Sequence, residues 1–165
     1  MNNGQPNGSM TINLGFKSLW QKVTIVGGPF AFKPDGYYGV CVRAEYNNSE
    51  LPMMDAYIPI HDFDVPKPDQ AQLVAATVRD CVLKSLSGKP VYVGCMGGWG
   101  RTGLFMSLIA KSLGVSDPVG FVRANYTPKA VETSAQQRYV DSFVFEPFTH
   151  KELWRAAFKR FFSFK

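Results

Sequence analysis

Pro90-Val91-Tyr92-Val93-Gly94-Cys95-Met96-Gly97-Gly98-Trp99-Gly100-Arg101-Thr102 is the stretch on which the reading of this chain turns. Its first four residues form a short run with two β-branched valines and follow the turn residues Ser87-Gly88-Lys89, the pattern of a buried strand opening from a turn. From Leu104 to Leu113 the chain is apolar and built from good helix formers. Cys95 therefore falls at the carboxyl end of a strand and Arg101 in the first turn of a helix. Gly97, Gly98 and Gly100 permit close approach, so the backbone N–H groups from Met96 through Trp99 to Gly100 can converge on one oxyanion beside a positive helix end. The same field favours a cysteine thiolate. Arg101 offers a planar fork that fits two phosphate oxygens, and six residues from the cysteine are enough to curl it back over the sulfur. Thr102 is placed to donate a hydroxyl hydrogen bond to the sulfur. Together these residues predict a metal-free phosphate cradle with its own nucleophile.

The pattern Cys95-x5-Arg101-Thr102 with interior glycines resembles the signature loop of the cysteine-dependent protein tyrosine and dual-specificity phosphatases, closest to the small dual-specificity branch. The resemblance covers roughly residues 53–145 and implies a phosphatase with a phosphocysteine intermediate and no cofactor. It implies that Cys95 attacks phosphorus, that Arg101 binds the phosphoryl oxygens and that Thr102 assists departure of the thiolate. Gly94 stands where relatives commonly have histidine. Lipid-directed relatives often carry lysines inside this loop; Met96 and Trp99 here lean toward a phosphorylated protein as substrate, with phosphoinositides and nucleotide phosphates as the alternatives.

A leaving oxygen needs a proton from an acid near the cradle. The strand-like run Ala56-Tyr57-Ile58-Pro59-Ile60 leads into His61-Asp62-Phe63-Asp64-Val65-Pro66, a proline-punctuated loop. Asp62 and Asp64 both qualify; the resemblance favours Asp62. Asp69, just after Pro68, fits the cap of the helix that follows. Asp-x-Asp after an apolar run also resembles the nucleophile motif of haloacid-dehalogenase-type phosphatases, which use magnesium, but Pro66 stands where that motif expects Thr or Val. Downstream, residues 122–139 resemble the family's arginine-rich turn and glutamine loop, with Glu132 at the first glutamine position and Gln136 at the second. The resemblance makes Gln136 the candidate for positioning the hydrolytic water, against a plain solvated amide on a helix face.

The remaining sequence bounds these readings. At 165 residues and 45% hydrophobic content, one globular domain is expected, from residue 10 to 165, after a disordered Asn/Gly-rich start at 1–9. Strands are predicted near Val23–Val26, Gly39–Val42, Tyr57–Ile60 and Val91–Val93, and a long helix over Asp69–Leu86. The expected fold is α/β: a mostly parallel sheet of about four to five strands with helices on both faces, as in protein tyrosine phosphatases. Cys41, Cys81 and Cys95 make no disulfide framework and no metal-ligand spacing, which with the absence of a signal-like start gives a cytoplasmic expectation. A net charge of +5 is spread without an aromatic-basic platform, so no nucleic acid is expected. The tail over 151–165 is the exception. Trp154, Phe158, Phe161 and Phe162 recur at helical spacing among Lys151, Arg155, Lys159 and Arg160, a helix that either packs on its own domain or meets a membrane surface or partner. A catalytically silent phosphate-binding module is the alternative of a different class, and the oligomeric state is open.

Overall fold

The computed structural model describes residues 8–14 and 22–162, the side chains of 161 and 162 excepted. Five strands form one sheet: β1 (Gly8–Asn13), β2 (Lys22–Pro29), β3 (Tyr38–Cys41), β4 (Ala56–Tyr57) and β5 (Val91–Cys95). Their spatial order is β1-β2-β5-β3-β4, parallel throughout except for β1, which runs antiparallel to β2. Among the described residues the α-helices are α1 (Ala71–Leu86), α2 (Gly100–Ser112), α3 (Pro118–Asn125), α4 (Ser134–Ser142) and α5 (His150–Phe162).

β5 lies between β2 and β3, and all five of its residues are buried. A strand paired on both edges and covered on both faces needs an unbroken apolar run, which is why Val91-Tyr92-Val93 lacks the alternation of a half-exposed strand. Val91 and Val93 join the larger core with Val78 and Val82 of α1, Leu104 and Leu108 of α2 and Val140 of α4. Tyr92 points to the other face, where it meets Phe30 and Cys41, with Met53 and Tyr57 packed alongside. Short 3-10 turns over Phe30–Phe32 and Asn48–Met53 belong to that thinner layer. The flanking helices are thus unequal, long on one face and short 3-10 segments of one or two turns on the other.

Three boundaries differ from the sequence expectation. β1 begins at Gly8, so Gly8 and Ser9, expected to be disordered, pair with Gly27 and Val26; residues 1–7 lie outside the described ones. Met10 and Ile12 point into the core while Ser9 and Thr11 face out, a two-residue period that only three or four residues display. β4 stops at Tyr57, although Ile58 N still donates to Cys41 O at 2.9 Å. Asp69 sits in a 3-10 turn over Pro68–Gln70 and does not cap α1, which starts at Ala71.

α5 packs back on α1. Leu153 and Ala156 face the core, Glu152 receives Arg79 Nε and Nη2 at 3.0 and 2.7 Å, and the same guanidinium lies 4.6 Å from the Phe148 ring centroid. Hydrogen bonds from Arg79 and Thr149 hold the Glu152 carboxyl down at about 2, so the ion pair is in place over the neutral range.

The position before Cys95 is set by packing. A Cβ on Gly94 would meet Phe30 Cα at 2.7 Å, and Gly28 O and Phe30 N at 2.8 Å, all of them backbone atoms that cannot swing away. The histidine common in relatives has no room here. Gly94→Ala is expected to destabilise the fold by about 1–3 kcal/mol through overpacking, read as a fall of several degrees in melting temperature. An unchanged melting temperature would show that the β2 end yields.

Candidate active site

The turn from β5 into α2 places Cys95, the candidate nucleophile. Cys95 is the last residue of β5, 3% exposed, and its Sγ accepts the Gly98 N–H at 3.2 Å. Gly98 adopts φ +74°, a left-handed conformation that turns the chain back over the sulfur and that glycine enters without steric cost. Tyr126 holds the turn from outside by donating its hydroxyl to Gly98 O. Thr102, in the first turn of α2, accepts the Cys95 backbone N–H on Oγ1 at 2.9 Å. The sequence reading placed this hydroxyl as a donor to the sulfur. In the structure its oxygen anchors the strand end, which leaves the hydroxyl proton for another acceptor.

Arg101 is 3% exposed and reaches back under the loop. Its Nη1 donates to Ile60 O at 3.0 Å and pairs with Glu45 Oε1 at 2.5 Å, while Nη2 lies 3.1 Å from Asp62 Oδ1. Partial burial acts to raise the Glu45 carboxyl, but the hydrogen bond and charge of Arg101, with Arg43 behind it, outweigh this and hold it below the usual range. Arg43 is buried as well, bonded to the buried Glu50 and donating from Nη1 to Met96 Sδ at 2.9 Å. A second cation thus supports the loop from beneath.

Cys95, Arg101 and Asp62 line one cavity of about 210 Å3 with Phe63, Trp99 and Glu132, the loop residues Met96, Gly97 and Gly100 completing it. Larger cavities of about 300 Å3 lie elsewhere, yet none of these is lined by a cysteine. Phe63 and Met96 stand at the mouth, 59% and 54% exposed. Trp99 is braced by Lys129, whose Nζ is 4.0 Å from the ring. Among the described residues no group of three or more His, Cys, Asp or Glu side chains could hold a metal ion.

The two aspartates are separated by backbone conformation. Phe63 takes φ +60°, rare for a non-glycine residue, and the reversal leaves Asp62 on the cavity and Asp64 away from it. Asp64 Oδ1 instead accepts Val65 N at 2.8 Å. Gln136 is also displaced from its expected place. It is fully buried and does not line the cavity: Oε1 accepts Glu132 N at 2.9 Å and Nε2 donates to Asp64 O at 3.1 Å. Both ends of the amide are consumed in tying the acid loop to the turn before α4. Glu132 occupies the cavity instead, its carboxylate so close over Gly100 that a Cβ there would be 1.9 Å from Oε2. Val131 at φ +58°, with its carbonyl and that of Ala130 held by Arg123 at 2.8 and 3.0 Å, aims that carboxylate.

Sequence reasoning missed Glu45 and Arg43 as parts of the site. They lie more than fifty residues before the loop and belong to no local pattern, because parallel pairing of β3 with β5 is what carries them there.

Residues 40–113 match the family model described as "Polymorphic toxin system, DSP-PTPase phosphatase". Two uncharacterized proteins of Methanocaldococcus jannaschii are 34% identical over 88 residues, 53% of this chain and 54% and 58% of theirs. The chain thus spans little more than half the length of these curated relatives. Among solved structures, Tk-PTP in its active form is similar at a TM-score of 0.55 and 24% identity, covering 73% of this chain and 89% of that one. Kinase associated phosphatase (KAP) gives 0.59 at 14%, covering 84% and 94%. PTPMT1 in complex with PI(5)P gives 0.54 at 13%, covering 81% and 94%. The chain thus matches a DSP-PTPase phosphatase model over the segment that holds the Cys95–Arg101 loop, and it shares its fold with Tk-PTP, KAP and PTPMT1.

Proposed function

We propose that the protein hydrolyses phosphomonoesters of proteins, without a metal, through a phosphocysteine intermediate. The observation that carries this reading is the convergence of Cys95, Arg101 and Asp62 on one small cavity. Phosphate enters as a tetrahedral anion, exchanging with the carboxylates on Arg101 for the guanidinium fork and the loop N–H groups. Cys95 Sγ forms a bond to phosphorus as the P–O bond to the leaving group breaks, and Asp62 supplies the proton that oxygen needs. Water then attacks phosphorus, Asp62 takes its proton, and the S–P bond breaks to return the thiolate and release inorganic phosphate. Thr102, holding the Cys95 amide, keeps the strand end in register with the loop.

Charge around the cavity favours a protein substrate over polyphosphorylated ones. Glu45 and Asp62 pair with Arg101, whose guanidinium is the one cation lining the cavity, Glu132 lines the same cavity, and Lys129 lies on the outer side of Trp99. Once a phosphate dianion occupies the cradle, a second phosphate nearby meets carboxylates, whereas uncharged or cationic neighbours do not. The walls Phe63, Met96 and Trp99 suit an aromatic or aliphatic ester stem. The test compares phosphate release in EDTA from phosphotyrosyl and phosphoseryl peptides with lysine or glutamate flanks, and from a bisphosphorylated inositol headgroup. Peptides with lysine flanks are expected to have the highest kcat/KM, by about tenfold over glutamate flanks. Preferred release from the inositol compound would overturn the protein assignment.

A further inference from the structure

α5 has two different sides. Leu153 and Ala156 pack inward and Glu152 is held by Arg79. The outward side is open over much of its area: Trp154 is 65% exposed and Phe158 52%. These two are four residues apart and share one face, and the exposed Lys151 and Arg155 are interleaved with them. Toward α1 the helix borders a groove in which Lys84, Arg155 and Lys159 meet Asp80, the other carboxylate there, Glu152, being engaged by Arg79.

We infer that this outward side of α5 docks the protein on an anionic lipid surface, with Trp154 and Phe158 entering the headgroup layer and Lys151 and Arg155 meeting lipid phosphates. Protein interfaces place aromatic anchors in cores depleted of charge, particularly of lysine, with polar groups at the rim. Here cations alternate with aromatics along a single stripe, which is the composition of helices that lie in a membrane interface. A net charge of +5 adds long-range attraction of the same sign. No helix among the described residues is long and apolar enough to cross a bilayer. No α5 residue lines the catalytic cavity, so binding and turnover can be separated by substitution.

The full chain is sedimented with phosphatidylcholine vesicles, with and without phosphatidylserine. Binding is expected on the phosphatidylserine vesicles, falling with added salt, with a loss of about fivefold in partitioning for each of Lys151→Gln and Arg155→Gln. Trp154→Ser with Phe158→Ser is expected to abolish it while keeping the melting temperature and aryl phosphate turnover. The inference is overturned by no vesicle binding, by equal binding to neutral vesicles, or by undiminished binding of the double variant. It is equally overturned if the double variant instead dissolves a concentration-dependent dimer, which would make a second copy the occupant.

Discussion

Cys95→Ser is expected to lower kcat for an aryl phosphate by about four orders of magnitude or more in EDTA, with the melting temperature held close to that of the parent. Cys95 is 3% exposed and its Sγ accepts the Gly98 N–H at 3.2 Å, a contact that a smaller serine oxygen can still approach. What changes is the nucleophile. A thiol gives up its proton far more readily than a serine hydroxyl, which needs a base to remove it, and neither Arg101 nor Thr102 can act as one. The variant should therefore still bind vanadate through Arg101 while releasing no phosphate. Undiminished turnover would remove Cys95 from the chemistry. Loss of parent activity in EDTA would instead point to Asp62-x-Asp64 as a magnesium-dependent nucleophile motif.

Asp62→Asn is expected to cost between about a hundredfold and ten-thousandfold in kcat on an alkyl phosphate, and much less on a nitrophenyl ester. The contrast follows from the leaving group, since a nitrophenolate departs without a proton and an alkoxide does not. Asp64→Asn should remain within about twofold of the parent, because its carboxylate caps Val65 and does not line the cavity. Steady-state rates on the two esters decide the matter: equal losses would assign Asp62 to holding Arg101 at 3.1 Å rather than to proton transfer. A large loss in Asp64→Asn would exchange the two roles.

Much of this architecture is legible along the chain because it is local. β2, β3, β5 and α1 are runs whose hydrophobic period matches their element, and the offset from Cys95 to Arg101 and Thr102 lies within a single strand, loop and helix start. β1 was hidden because its alternation spans few residues and becomes meaningful only against β2, where Met10 faces Ile25 and Ile12 faces Val23. β4 read as longer because Ile58 and Ile60 look like strand residues; both are fully buried by packing that continues past the ladder. Gln136 and Glu132 are one turn apart, and local pattern cannot say which of them faces the cavity.

The sequence by itself determined the strand-loop-helix frame that carries Cys95, Arg101 and Thr102, since a loop closed by neighbouring residues needs only short-range geometry. Tertiary structure alone decided which carboxylates reach that guanidinium. Parallel pairing across β3 and β5 brings Glu45 to Arg101, and a left-handed Phe63 separates Asp62 from Asp64. A left-handed Val131 sends Glu132 over Gly100 while Gln136 is consumed in holding two loops together. Long-range register and strained backbone leave no periodic trace, because each depends on what the rest of the fold holds in place.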